Sequence, residues 1–430
     1  MPLQDYSRPS DDNGLGMHFG HAQRKAALDQ YIPILANLRV KWCIVPHKSE
    51  NDLHSAAQAL WAAGIMPVSR WICKVDQPTL EFTRLVATLK GLEIPPYLQI
   101  LNEPGDPHEW ESGQPDIEHF AEIWTKHASA VATAGGYPGL QVMGVDELTT
   151  VLDYLYGGQA AQAGVEVETV LDRMWFSPHC YGSNHPPDYP YDARNQQEHP
   201  GATVFQDNVT VLSFLEFAPV FQKEIHFVPP FIVSEGGWSI GNGDDSRYPA
   251  VDGTLHARYH QILFSAFQAG QLPNGDPLPN YLFAFCPWIL FGPEPEAWHS
   301  WTTGTRVQTY SAIRQISPFV RKFPEEPAPP PPTKLLRHYV LFGPPSARAT
   351  HSMLLGARNY LLRFAPTLGF DASEAGNAEA VTIVGDVRLV SVSVERQLRK
   401  AGCRVERLGG DQYAADAVFA DRVARDQEFD

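Results

Sequence analysis

Two glutamates each close an apolar run of the sequence. Glu103 follows the apolar run Tyr97-Leu98-Gln99-Ile100-Leu101 and precedes Pro104. Proline has no N–H to give to a ladder, so a buried strand must stop there. Glu235 follows Phe231-Ile232-Val233-Ser234 and precedes Gly236-Gly237-Trp238. Each reads as a carboxyl group delivered to the rim of a sheet. Glycoside hydrolysis uses one carboxylic acid to protonate the leaving oxygen and a second carboxylate across the anomeric carbon. When the two lie about 5–5.5 Å apart, the second attacks directly and configuration is retained. On this reading Glu103 is the acid/base and Glu235 the nucleophile.

The elements that must carry them alternate regularly. Apolar stretches at 15–20, 40–47, 65–72, 97–101, 140–145, 174–181, 231–235 and 280–292 read as strands. Amphipathic stretches between them read as helices, the first at 26–38 with Pro33 expected to kink or split it. Eight such units over roughly 300 residues predict an α/β fold, a (β/α)8 TIM barrel, rather than a doubly wound sheet. The glycine fingerprint of a dinucleotide fold is missing after the first strand. Active sites of such barrels sit at the C-terminal ends of the strands, which is where strands four and seven place Glu103 and Glu235.

The barrel is expected over 14–322, preceded by a disordered or loosely docked arm at 1–13. A Pro-rich linker at 323–333 reads as an extended, semi-rigid spacer. Residues 334–430 read as a small α/β accessory domain, with strands at 338–343, 380–386 and 403–410.

Composition narrows the partners. The chain has 430 residues and a net charge of −16, which argues against nucleic acid. Ten Trp, sixteen Tyr and twenty-two Phe are generous, and their rings stack well on sugar faces. The five cysteines show no CxxC spacing and the histidines no HExxH, so neither a disulfide framework nor a catalytic metal is expected, and no cofactor. The N-terminus carries no apolar signal-peptide core, which fits a cytoplasmic protein or a secreted one whose leader has been removed. No run of eighteen apolar residues offers a membrane span.

The Asn102-Glu103-Pro104 triplet and Glu235 resemble the clan A retaining glycoside hydrolases, the "4/7" superfamily, over about residues 14–322. The resemblance implies that Asn102 hydrogen-bonds the sugar 2-hydroxyl, with Glu103 as acid/base and Glu235 as nucleophile. His179 and Tyr181, ending strand six, resemble the clan's His-x-Tyr pair, whose Tyr would hydrogen-bond the nucleophile. Trp288 stands where the clan places an aromatic floor for the −1 sugar. Many members carry an Arg at the end of strand two that pairs with the nucleophile. Here strand two offers Lys41 and His47, and Arg70, ending strand three, is the nearest substitute. Asp146 and Glu147, at the end of strand five, are candidate substrate ligands. Trp110, Trp238, Trp298 and Trp301 are candidate subsite stackers. In the C-terminal unit, Val381-Thr382-Ile383-Val384-Gly385-Asp386 and the stretch from Ala401 to Gly410 resemble one copy of the bacterial cell-wall-binding repeat type 2. That implies a bacterial protein with a cell-envelope polymer as a second partner.

The sequence therefore predicts a retaining glycosidase that degrades a β-linked oligo- or polysaccharide. A carbohydrate-binding barrel that has lost turnover is the alternative, favoured by the missing strand-two Arg. A transglycosidase would use the same residues.

Overall fold

Eight short parallel strands follow one another round a common axis in the computed structural model, which describes residues 1–20, 25–78, 82–157, 159–292, 297, 299–302, 307–323, 334–409 and 412–429. They are β1 (Gly16–His18), β2 (Trp42–His47), β3 (Met66–Trp71), β4 (Tyr97–Ile100), β5 (Tyr137–Leu140), β6 (Trp175–Phe176), β8 (Phe231–Val233) and β10 (Leu282–Phe285). Their order in the sheet is β1-β2-β3-β4-β5-β6-β8-β10. A parallel bridge from Leu15 to Phe285 brings the last strand back to the first. This is the TIM barrel that the alternation predicts. Its strands are apolar almost throughout because both faces are covered, the inner by strand side chains and the outer by helices.

One helix shows the local logic. Asp116 caps it, accepting from the backbone N–H of His119 at 2.9 Å. The stretch Ile117–Thr133 then buries Phe120, Ala121, Trp124, Ala128 and Val131, which share a face at helical spacing. Trp124 donates its indole N–H to Gly139 O of β5 at 3.1 Å, pinning helix to strand.

The structure departs from the sequence reading in four places. Helix Lys25–Asn37 is not split by Pro33, which lies inside it. Pro33 faces solvent, so water can take the carbonyl that a missing N–H leaves free. Strand five ends at Leu140, not at 145, and Asp146 lies exposed in the first turn of helix Val145–Tyr156.

Strands six and seven each break in two. After β6, Pro178 interrupts the ladder, and β7 (His179–Tyr181) leaves the main sheet. It pairs with β9 (Glu235–Gly237), which continues β8 after Ser234. The register sets His179 opposite Glu235 and Tyr181 opposite Gly237. This two-stranded ribbon, continuing beyond the C-terminal ends of β6 and β8, brings the site residues together.

The N-terminal arm is docked, not loose. Tyr6 is buried and donates its hydroxyl to Met174 O at 2.8 Å. Tyr97 donates to Ser7 O at 2.7 Å, and Trp42 donates its indole N–H to Asp12 Oδ1 at 2.8 Å. These partners sit at the starts of the barrel strands, so the arm stoppers the end opposite the site. Apolar packing around Tyr6 and the hydrogen bonds of its neighbours outweigh the polar composition that made the segment look disordered. Tyr6→Ala is expected to cost about 3–5 kcal/mol of stability, read as a drop in the thermal midpoint with the site's chemistry unchanged.

The chain divides into two compact units, Met1–Phe323 and Pro324–Asp430. The Pro-rich stretch expected to link them lies, but for Phe323, outside the described residues. The second unit is a four-stranded parallel sheet in the order β12-β11-β13-β14, with β11 (Leu336–Phe342), β12 (Thr367–Gly369), β13 (Ala378–Val384) and β14 (Arg404–Leu408). Alternate residues face opposite sides. Tyr339, Leu341, Val381 and Ile383 enter one apolar cluster, and Val340, Phe342 and Val384 the other. The short β12 was not foreseen, since two of its three residues are exposed and leave no apolar signal. No helix among the described residues is long and apolar enough to cross a membrane.

Candidate active site

The end of β4 is strained in the way a site can be. Leu101 and Glu103 both have positive φ, 63° and 37°, on either side of Asn102. Such positions cost a non-glycine residue on the order of 1–3 kcal/mol each. Burial of Leu101 and a hydrogen bond from the Glu103 N–H to Gln141 Oε1 hold the turn. The turn aims the Glu103 carboxyl at His179, whose Nδ1 lies 2.7 Å from Glu103 Oε1.

Glu235 is held from three sides. Arg70 Nη1 forms an ion pair with its Oε1. The Tyr181 hydroxyl donates to its Oε2 at 2.6 Å. His179 Nδ1 lies 3.7 Å from the same oxygen. Behind Arg70, His18 Nε2 is 3.1 Å from Nη1, and the His18 ring packs on Trp288 at 4.3 Å between centroids. Glycine is required beside the carboxylate: a Cβ on Gly236 would lie 2.3 Å from Cys180 O across the β7–β9 ribbon.

The two carboxyls differ electrostatically. The Glu235 side chain is 7% exposed and that of Glu103 22%. Burial alone would push the Glu235 carboxyl up. The charges of His179, Arg70 and His18 and the Tyr181 hydrogen bond outweigh it and hold the group at about 2. Glu235 is therefore an ionised carboxylate throughout the physiological range. Its ion pair stabilises the fold above the ordinary carboxylate range, and that contribution is lost as pH falls toward about 2. Tyr181 goes the other way, pushed well above the phenol range by burial and by Glu235, so it stays a donor.

One prediction follows from Arg70. Arg70→Met removes a positive charge from Glu235, so the carboxyl rises toward its ordinary value. The acidic limb of kcat/KM against pH should move to higher pH. An unmoved limb would mean that Arg70 does not tune Glu235.

A buried polar network lies beneath. His179 Nε2 is 3.2 Å from Ser234 Oγ, and Ser177 donates to Ser234 Oγ at 2.6 Å. Gln99 links this chain to the other side, donating Nε2 to Asn102 Oδ1 at 3.0 Å. Asn102 donates Nδ2 to Glu109 Oε1 at 2.9 Å. Burial pushes the Glu109 carboxyl up, with Asn102 and Arg70 pulling it back. Buried networks of this kind fix a unique geometry when every member is satisfied.

Of the residues singled out in the sequence, Glu103, Glu235, Asn102, Arg70, His179, Tyr181 and Trp288 converge here. The others do not. Asp146 is exposed on its helix. Trp238 is 1% exposed and its indole N–H is taken by His185 O at 2.9 Å, so it is a packing residue with no face for a sugar. Trp110 and Trp301 are buried too, Trp110 bonded to Pro104 O at 2.7 Å. Trp298 lies outside the described residues. The sequence reading passed over His18, Gln99, Glu109, Ser177 and Ser234. For Gln99 and Ser234 a signal existed, since each is a polar residue inside an apolar strand run.

Glu103, His179 and Glu235 each offer a ligand atom, and the three atoms lie within 4.8 Å of one another. By type this trio could chelate a cation. The Arg70 guanidinium and the Tyr181 hydroxyl already engage both Glu235 oxygens, and a cation there would face a fixed positive charge.

Neither a protein-family model nor a curated protein sequence matches the chain. Among solved structures it is similar to a family 39 glycoside hydrolase from Bacteroides cellulosilyticus WH2, with 13% identity over 71% of this chain and a TM-score of 0.42. The chain spans 63% of the length of that protein. It is also similar to ScGas2 solved in complex with a compound, with 10% identity over 73% of this chain and 67% of the other, and a TM-score of 0.41. A truncated 3-deoxy-D-arabino-heptulosonate 7-phosphate synthase from Thermotoga maritima matches over 73% of this chain and 88% of its own, at 11% identity and a TM-score of 0.36. These solved structures share the fold with the chain at low identity.

Proposed function

We propose that the barrel is a retaining glycosidase acting on a β-linked glycan. The observation that carries this reading is the carboxyl pair. A carboxylate oxygen of Glu103 and one of Glu235 lie within 4.8 Å of each other, with Glu235 held ionised. That closeness suits direct attack by Glu235, whereas inverting enzymes keep their carboxyls about 6.5–9.5 Å apart to admit a water.

In the first step Glu235 attacks the anomeric carbon while Glu103 gives its proton to the leaving oxygen. In the second, Glu103 takes a proton from water, which displaces Glu235 and leaves the configuration as it began. His179 suits a residue that alternates between acid and base. Its ring nitrogen can donate to the Glu103 carboxylate or accept from the acid. Arg70 fills the role that a strand-two Arg would have had, which removes the feature that favoured a binding-only barrel. A cell-envelope polymer as partner of the C-terminal unit remains a proposal resting on a short stretch of sequence.

The test is hydrolysis of a panel of aryl β-glycosides and β-glucans, followed by proton NMR of the first sugar released. A β-anomer appearing first supports retention. An α-anomer first, or no turnover on a broad panel with glycan binding intact, defeats the proposal.

A further inference from the structure

Asn102 is the polar group beside the acid/base, and its amide can sit either way round in its pocket. Two neighbours decide which. Gln99 Nε2, a donor, lies 3.0 Å from Oδ1. Glu109 Oε1, an acceptor, lies 2.9 Å from Nδ2. Turned over, the amide would set NH₂ against NH₂ on one side and a carbonyl against a carboxylate on the other. Both contacts would then be repulsive, in a buried setting where each counts for more. Gln99 is itself buried and fixed by its place in β4. Its Nε2 also lies 3.5 Å from Leu101 O, an acceptor, which sets which of its own ends faces Asn102. Glu109 belongs to a different element, the short turn Pro107–Glu109. Asp106 caps that turn, accepting from the His108 N–H at 2.8 Å. Lys74 reaches His108 O, and the Val75 N–H donates to Glu109 O at 2.8 Å, so the loop after β3 braces it.

We infer that Glu109 is a positioning residue that locks the Asn102 amide with one N–H toward Glu109 and the other left for a hydroxyl of the bound sugar ring. The inference rests on the glycosidase reading, and it assigns a task to a third carboxylate in the cleft. Glu109 does not touch the reacting atoms. It acts through Asn102, so its effect must shrink when the sugar has no hydroxyl for Asn102 to meet.

That requirement gives the test. Matched aryl β-glycosides, one with its 2-hydroxyl and one 2-deoxy, are compared on wild type, Glu109→Ala and Glu109→Gln. Glu109→Ala should lose about 10- to 100-fold in kcat/KM on the 2-hydroxy substrate, the cost of a misplaced contact near the reacting centre. On the 2-deoxy substrate its loss should be at least about fivefold smaller than on the 2-hydroxy one, since only the effect of its charge on Arg70, Glu103 and Glu235 is left. Glu109→Gln keeps an acceptor in place and should retain most of the activity on both. Equal losses on the two substrates in both variants would overturn the inference, because a loosened fold harms both alike. Wild type failing to cleave the 2-hydroxy glycoside would instead overturn the glycosidase reading itself.

Discussion

Glu235→Ala should reduce kcat on an aryl β-glycoside on the order of 10⁵-fold, the scale set by removal of a nucleophile that works as part of a unit. Sodium azide should restore turnover, and the product should be the glycosyl azide of inverted configuration. The alanine leaves a void where the carboxylate stood, and a small anion can enter it and attack once. It also leaves the Arg70 guanidinium buried without its partner, a situation that costs about 3–5 kcal/mol. A fall in the thermal midpoint is therefore expected alongside the loss of rate. Glu235→Gln separates the two effects: it keeps the shape and the Tyr181 contact, cannot attack, and should be equally inactive without azide rescue. Residual turnover within tenfold of wild type in either variant would remove Glu235 from the mechanism.

Glu103→Ala should behave differently. General acid catalysis contributes about 10²–10⁴-fold, and the loss should depend on the leaving group. A poor leaving group needs the proton and should show the full effect. A dinitrophenyl glycoside needs little help to leave, so its first step should be nearly spared and the intermediate should accumulate as a burst. Azide should speed release, giving a product of retained configuration. A loss independent of the leaving group would assign Glu103 to binding rather than proton transfer.

How much of this was legible in the residues varies by element. The barrel was readable because parallel strands covered on both faces are apolar throughout, and each helix between them repeats its buried side chains at helical spacing. The two glutamates were readable for the same reason: a charge ending an apolar run is conspicuous. The break after Phe176 was less so, since Pro178 sits in a run that otherwise reads as one strand. The β7–β9 ribbon, which sets His179 opposite Glu235, is a pairing between residues more than fifty positions apart and leaves no local trace. Trp238 misled because a tryptophan beside a nucleophile suggests a sugar platform. Its burial comes from Tyr259 and His260 on a later helix, which nothing near Trp238 announces. Glu109 was missed because a glutamate in a polar turn looks like any solvated loop residue until Asn102 is seen to need it.

The docked N-terminal arm bears on the order in which the barrel is made. Tyr6 finds its acceptors 166 and 168 positions along the chain. Its ring also meets Phe283 of the last strand at 6.2 Å. Closing loops of this length brings a large entropic cost before any contact rewards it. During synthesis Asp12 and Ser7 can meet Trp42 and Tyr97 early, but Tyr6 has no acceptor until the chain has reached β6 and no Phe283 until it has reached β10. The lower mouth of the barrel, ringed by Trp42, Tyr97 and Phe283, thus lacks its Tyr6 cover until nearly the whole unit has been assembled. The contacts of Tyr6 are among the last the barrel can make, and an aromatic mouth left open during assembly is a surface that can associate with other chains.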